Sequence, residues 1–377
     1  MKKNKVLFIS HYSDLYGSNM SMYSIVKYFK SKGVPVAVLF PQDGMLARMM
    51  QEDGISIHFF KIVHEACYVK FNKKYLVLPI LWMYNLLAFP ILLLKVKKIN
   101  PNIIYSNSSC VILGGLIARI LRIQHIQHVR EFMDKDFGAY FLLGRSAKKR
   151  HLLNSYKVIY VSNAVANETT DGVQSNGKVI YNGVKNPKMV KNNYCFDSNL
   201  RLGIVGYIDK SKQQDLAIKY LARIVAKYPG ITLHIVGDRK GPYKTYINSL
   251  VKRFSLENNV VFHGFIKGED NIYDKFDVLL MCSKNEGFGR VTIEAMRRNV
   301  PVIGYNAAGT SELIQHKIDG FKFVNYDEFE DSIETILNFP DIVSTIITHA
   351  KNKSDSLFSE ETYAENVYNF VFEDLED

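Results

Sequence analysis

Cysteine is scarce in this sequence and never paired. Cys67, Cys110, Cys195 and Cys282 are the only four, and no two of them form a CxxC pair. That argues against a structural zinc site and against a disulfide framework, and a reducing compartment is the simpler reading. Proline is sparse, at 10 of 377 residues, and there is no repeat and no low-complexity tract. A solenoid, a collagen and a disordered tail protein are thereby excluded. The basic start, Met1-Lys2-Lys3-Asn4-Lys5, is followed by only four apolar residues and Ser10 before His11. A signal peptide needs a longer apolar run, so a first strand is expected here.

Acidic residues are also scarce in the first half. Residues 1–190 hold 26 Lys/Arg against 10 Asp/Glu, a net charge of +16, whereas residues 191–377 hold 22 against 27, a net charge of −5. A basic half calls for an anionic partner: nucleic acid, anionic lipid or a phosphorylated substrate. No zinc, RRM or KH pattern accompanies the charge, so nucleic acid is not expected. Two basic features stand out. Residues Arg145 to Arg150 form a dense cluster, either a solvated helix face or an anionic-surface contact. The apolar run from Leu76 to Leu94 is flanked by Lys73, Lys74, Lys95, Lys97 and Lys98 and interrupted by Pro79, Asn85 and Pro90. It is barely long enough to span a bilayer. A buried core helix is the first expectation for it, an interfacial helix the second.

The order of elements repeats a pattern. Short apolar runs at Val6–Ser10, Val34–Phe40, Ile55–Phe60, Ile103–Ser106, Ile123–Val129, Val158–Val161 and Lys178–Ile180 read as strands. Amphipathic stretches separate several of them, among them Met22, Ile25, Val26 and Phe29 at helical spacing. Continuous apolar strands alternating with helices signal a parallel sheet covered on both faces. An Asn-rich stretch from Tyr181 to Asn199 reads as a linker. The alternation restarts with strands at Leu202–Val205, Ile231–Val236, Val260–Phe262, Val278–Met281 and Val302–Gly304. A last helix is expected at Glu360–Phe372. The domains expected are 1–185, basic and in contact with a membrane, and 200–358, with 359–377 as a C-terminal helix packing back toward the first domain. Ligands of such sheets sit beyond the carboxyl ends of the strands, so the loops after strands matter most.

The most informative segment runs from Ser283 through Glu286-Gly287-Phe288-Gly289-Arg290 to Glu294. A strand, a Gly-flanked turn and a helix follow one another, an arrangement whose backbone N–H groups favour a phosphate. Glu286 and Glu294 beside an anion site make sense if they grip neutral hydroxyls, since each carboxylate can hold a vicinal diol. A phosphate flanked by diols describes a nucleotide-sugar. Pairing of Glu294 with Arg290 and Arg298 at helical spacing is the competing explanation.

This segment resembles the E-x7-E motif of the family 4 glycosyltransferases. Other landmarks fall in the family's order: Tyr16-Gly17-Ser18, Val161-Ser162-Asn163-Ala164-Val165, Val179 to Val184, Ile235-Val236-Gly237-Asp238, Val261 to Phe265, and Pro301-Val302-Ile303-Gly304 through Gly309 to Ile314. The resemblance implies an α/β, GT-B fold of two Rossmann-like α/β/α domains facing across a cleft. It implies a retaining hexosyltransferase of bacterial surface-polysaccharide type. The donor would be a UDP-sugar or GDP-sugar, UDP favoured. The acceptor would be a saccharide or a polyprenyl-diphosphate-linked one. The protein would act in the cytoplasm, peripheral to the anionic inner face of the cell membrane, with no metal or other cofactor. Glu286 would contact the donor hexose, Glu294 the ribose diol and Lys212 the diphosphate. Gly287, Phe288 and Gly289 would form the turn around the phosphate, and Asp238, Phe265 and Ile266 would line the nucleotide. Gly17 and Ser18 would approach the diphosphate from the first domain, and His128 would stand by the sugar. One departure is clear: Tyr207 stands where family members carry an arginine, and Arg290 is a candidate to compensate unless it faces solvent. Asp134-Lys135-Asp136 has the look of a D-x-D metal motif but is read as a loop. A GT-B sugar-nucleotide epimerase and a non-catalytic binding protein are the rival readings.

Overall fold

The computed structural model describes residues 4–15, 17–61, 68–69, 78–137, 139–140, 144–192 and 196–373. Cys67, Cys195, Tyr16, Lys73, Lys74 and Leu76, singled out above, lie outside the described residues. The chain divides into two compact units, 1–183 with 360–377, and 184–359.

The first unit begins with β1 (Val6–Ser10), α1 (Gly17–Ser31), β2 (Val36–Phe40), α2 (Met45–Glu52), β3 (Ser56–Phe59) and the short β4 (Tyr68–Val69). It continues with α3 (Leu78–Ile99), β5 (Ile103–Asn107), α4 (Leu113–Leu121), β6 (Gln124–Val129), α5 (Asp134–Phe137), β7 (Ala139–Tyr140), α6 (Gly144–Leu153), β8 (Lys157–Tyr160), α7 (Asn163–Thr170) and β9 (Gly177–Val179). Seven strands pair in the order β3-β2-β1-β5-β6-β8-β9, and all neighbours are parallel. Every residue of β1 and β5 is buried, as continuous apolar runs demand of a sheet covered on both faces. One face packs Phe8, Tyr105 and Ile126 against Met22, Ile25, Val26 and Phe29 of α1. The other packs Leu7, Ile9 and Ile104 against Leu92, Val96 and Ile99 of α3.

The second unit runs β10 (Arg201–Val205), α8 (Gln214–Ile224), β11 (Thr232–Val236), α9 (Pro242–Arg253), β12 (Val260–Gly264), α10 (Glu269–Tyr273), β13 (Val278–Met281), α11 (Arg290–Met296), β14 (Val302–Tyr305), α12 (Ala308–Leu313), β15 (Phe321–Phe323), α13 (Tyr326–Asn338) and α14 (Pro340–Leu357). Its six parallel strands pair in the order β12-β11-β10-β13-β14-β15. Gly203 in central β10 has a packing reason: a Cβ there would sit 2.1 Å from the Phe276 ring. The last helix, α15 (Glu360–Phe372), belongs to the first unit. Its Tyr363, Val367, Phe370 and Val371 join the core that α1 lines, and Ser24 Oγ donates to Glu360 Oε1 at 2.6 Å.

Two sequence expectations change, and a third gains detail. The apolar run is no simple core helix. In α3, Leu92, Val96 and Ile99 are buried, but Met83, Leu86, Leu87, Ile91 and Leu94 are exposed. Those five recur at helical spacing, so they form one apolar stripe turned outward. Among the described residues no helix is long and apolar enough to cross a membrane. The Arg145–Arg150 cluster lies on α6 and keeps a solvated face, with ion pairs on Arg145 and Lys149 at the surface. Arg145 bonds Asp134 at 2.5 Å and Glu168 at 3.2 Å, and Lys149 bonds Asp171 at 2.6 Å. Asp134-Lys135-Asp136, expected as a loop, opens the one-turn helix α5, with Asp134 held by Arg145.

Candidate functional site

In an open parallel sheet the strand order reverses at one point, and the loops on either side diverge to leave a crevice. In the second unit that point lies between β10 and β13. The loops flanking it are Gly206–Gln213 and Ser283–Gly289, the two richest in candidate residues.

The first loop is shaped by its backbone. Gly206 has φ +136, open only to glycine, and a Cβ there would lie 3.4 Å from Lys212 Cε. Asp209 caps the short 3-10 turn Lys210–Lys212 by accepting from Ser211 N at 3.0 Å. Gln214, fully buried, donates from Nε2 to the Tyr207 carbonyl at 2.9 Å. Lys212 is thereby aimed across the reversal point, where its Nζ meets Glu286 Oε2 at 2.7 Å. Both side chains are partly exposed, so the pair is open to exchange with a ligand.

The Glu286 loop is held from behind by α12. Gly309 N donates to the Glu286 carbonyl at 2.9 Å. A Cβ on Gly309 would lie 2.7 to 2.8 Å from Gly287 O, Glu286 O and Phe288 Cα, so only glycine permits this approach. Phe288 is buried, and Gly289, at φ +96, turns the chain into α11. Glu294 lies in that helix, nearly buried. Its Oε2 accepts from the Tyr273 hydroxyl at 2.9 Å, and its Oε1 is 3.4 Å from Arg290 NH2.

Arg290 does not face solvent: its side chain is only 16% exposed and it pairs with Glu294. Arg298 turns elsewhere, to Asp270 at 2.9 Å and the Glu294 carbonyl at 3.0 Å. Tyr207 is half exposed. Asp238, after β11, is bound to Lys244 at 2.5 Å, and that hydrogen bond holds its carboxyl below the usual range. Phe265, 79% exposed, and Ile266 follow β12. The carboxyl edge from β12 to β13 therefore carries, strand by strand, Phe265 and Ile266, Asp238, Tyr207 and Lys212, then Glu286. Three strand spacings make this row roughly 14 Å long, suited to an extended ligand. Tyr273 and Gly309 are contributors that motif spacing alone did not mark. Gly309 sits in the Gly309–Ile314 stretch already noted, but Tyr273 has no local signal.

In the first unit the strand order reverses between β1 and β5. Gly17 and Ser18 open α1 after β1, and the Ser18 carbonyl accepts from Asn107 Nδ2 at 3.5 Å. His128, near the end of β6, is fully enclosed. Its Nδ1 is 2.5 Å from the Tyr105 hydroxyl, and its Nε2 has no hydrogen-bond partner. Burial, with the Arg130 charge beside it, pushes its pKa well below the ordinary histidine value, so the ring is neutral. Among the described residues no group of three or more His, Cys, Asp or Glu side chains could hold a metal ion.

Comparison with known proteins agrees with this geometry. The model described as "Glycosyltransferase Family 4" matches residues 16–186, and that described as "Glycosyl transferases group 1" matches residues 191–353. Protein CapJ of Staphylococcus aureus is 26% identical over 60% of this chain and 60% of its own length. The O-antigen biosynthesis glycosyltransferase WclY of Escherichia coli is 27% identical over 52% of this chain and 56% of its own. The chain thus spans less than two thirds of either relative. The crystal structure of Anabaena Alr3699/HepE in complex with UDP-glucose superposes with a TM-score of 0.78, at 20% identity, over 98% of this chain and 100% of that one. The two parallel-sheet units have the GT-B architecture, and the chain belongs to the family 4 glycosyltransferases.

Proposed function

We propose that this protein transfers a hexosyl group from a nucleotide-sugar, a UDP-sugar in preference to a GDP-sugar, to a saccharide or polyprenyl-diphosphate-linked acceptor. The product would be a cell-surface polysaccharide. The observation that carries the reading is the Lys212–Glu286 pair, a cation and a carboxylate 2.7 Å apart across the point where the second sheet reverses. Binding of UDP-glucose by HepE and the O-antigen role of WclY support the donor and product classes.

The reaction breaks the bond between the anomeric carbon and the diphosphate oxygen. It forms the bond from the acceptor oxygen to that carbon. Attack on the face from which the diphosphate leaves retains the anomeric configuration, and the acceptor proton passes to the departing phosphate. Lys212 stabilises the negative charge gathering on that diphosphate. Glu286 exchanges its lysine for the hexose hydroxyls, and Glu294 holds the ribose diol within reach of Tyr273. Gly287, Phe288 and Gly289 supply the turn around the phosphate. Gly17 and Ser18 open α1 and offer their backbone to an anion, whereas His128 is fully enclosed beside Tyr105 and turns no ring atom to a ligand. With lysine in the charge-stabilising place, no metal is required, and turnover is expected to persist in EDTA.

The protein would work in the cytoplasm at the anionic inner face of the cell membrane. Support comes from the +16 charge of residues 1–190 and from the outward apolar stripe of α3, which ends at the exposed Lys97 and Lys98. An apolar stripe beside cationic residues suits an interfacial helix on anionic lipid. The test of the activity is nucleotide release from a panel of UDP- and GDP-sugars. Release from one of them supports the transferase, and release from none of them opposes it.

A further inference from the structure

The first unit holds a carboxylate that the reaction described above does not use. Glu131 follows β6, and its side chain is about nine-tenths buried. A buried carboxylate usually faces a cation, but Glu131 has none among the described residues. Its neighbour Arg130 turns to neutral oxygens instead: Asn107 Oδ1 at 2.6 Å, Asn182 Oδ1 at 2.8 Å and the Tyr363 hydroxyl at 3.1 Å.

What holds Glu131 is the loop after β5, and it holds only one oxygen. Oε1 accepts from Ser108 Oγ at 2.6 Å, from Ser109 N at 2.9 Å and from Ser109 Oγ at 2.8 Å. The loop is strained to do so: Ser108 has φ +114, a region that residues with a side chain rarely enter. Its backbone is pinned on both sides, with Ser108 N donating to the His128 carbonyl at 3.0 Å and Gln127 Nε2 donating to the Ser108 carbonyl at 2.7 Å. The second oxygen, Oε2, has no donor among the described residues. A carboxylate with one oxygen locked and the other left open is an oriented acceptor of hydrogen bonds. Its location is equally specific. Ser108 and Ser109 stand beyond the carboxyl end of β5, a strand that borders the reversal point of the first sheet, and Glu131 stands beyond the end of its neighbour β6.

We infer that Glu131 is an acceptor-binding residue, its Oε2 taking a hydrogen bond from a hydroxyl of the pyranoside that receives the transferred sugar. The inference rests on the transferase reading. It accounts for the strained Ser108, which with Ser109 supplies three donors that fix the carboxylate's direction before a substrate arrives.

The conservative variant separates this role from a structural one. In Glu131→Gln the amide oxygen still accepts the three bonds from Ser108 and Ser109, but the position of Oε2 becomes an N–H donor. The full-length protein would be assayed for UDP release from its donor sugar, without and with octyl pyranosides (glucoside, galactoside and N-acetylglucosaminide) as acceptor probes. At least one pyranoside is expected to raise UDP release by the parent protein. In Glu131→Gln that increment is expected to fall at least tenfold, with the melting temperature close to the parent's. Ser109→Ala, which removes one orienting bond and keeps the open oxygen, should reduce the increment several-fold. An undiminished increment in Glu131→Gln overturns the inference. So does a parent that hydrolyses its donor yet responds to no pyranoside. A parent that releases nucleotide from no UDP- or GDP-sugar overturns the transferase reading itself, and the inference falls with it.

Discussion

Replacing Leu86 and Leu87 by serine tests the membrane-facing part of the proposal. These side chains are 72% and 69% exposed in the middle of the α3 stripe. Fully burying a leucine contributes about 1.5–3 kcal/mol, so sinking the exposed two thirds into the lipid interface contributes roughly 1–2 kcal/mol for each. The double substitution should therefore weaken vesicle binding by about 3 kcal/mol, which is roughly 150-fold. Fold stability should hardly change, because α3 is anchored by Leu92, Val96 and Ile99 on its other side. The assay is co-sedimentation with vesicles rich in phosphatidylglycerol, at low salt and at high salt. The parent should bind, less tightly as salt rises, because the lysines act through a screened potential. Undiminished binding by the double variant would refute the argument from α3, and so would binding by the parent that salt leaves unchanged.

Further predictions concern the site and the core. Lys212→Met should lower the rate of nucleotide release by about 10²–10³, as expected when one charge-stabilising donor is removed; steady-state kinetics with saturating donor would show it, and a change under threefold would oppose the role. Gly309→Ala should push back the Glu286 loop, since the new methyl meets backbone atoms at 2.7 to 2.8 Å, and kcat should fall more steeply than the melting temperature. Acid should destabilise the fold from about pH 6.5 downward. Burial lowers His125 to about 3 and His151 to about 4, so the unfolded chain takes up protons in that window that the folded one does not. Thermal melts between pH 7 and pH 4 would record a falling melting temperature, and a flat profile would contradict the neutral, buried histidines.

Much of this architecture was legible from residue order because glycines and buried strands punctuate it. The expected bounds of β1, β13 and α15 coincide with those observed: β1 and β13 are unbroken buried runs, and two acidic residues open α15. The edges of the other expected strands lie one or two residues away, where pairing with a neighbour decides the end. Helices α13 and α14 carry no motif that marks them in the sequence. The fate of charge was least legible. Arg145 and Lys149 looked free until Asp134, Glu168 and Asp171 folded beside them. Likewise, the motif carboxylate Glu294 showed its local partner Arg290 through helical spacing, but Tyr273, 21 residues earlier, meets it only through the tertiary fold. The α3 run misled because hydropathy records how apolar a helix is and not which side of it the sheet covers.

The central claim is that Glu286 and Lys212 mark a nucleotide-sugar site. The most direct test is nucleotide release from a panel of UDP- and GDP-sugars by the parent protein and by Glu286→Gln. The account predicts slow release of nucleotide from one donor by the parent and its loss in the variant. Equal release by both proteins, or none from any donor by the parent, would contradict it.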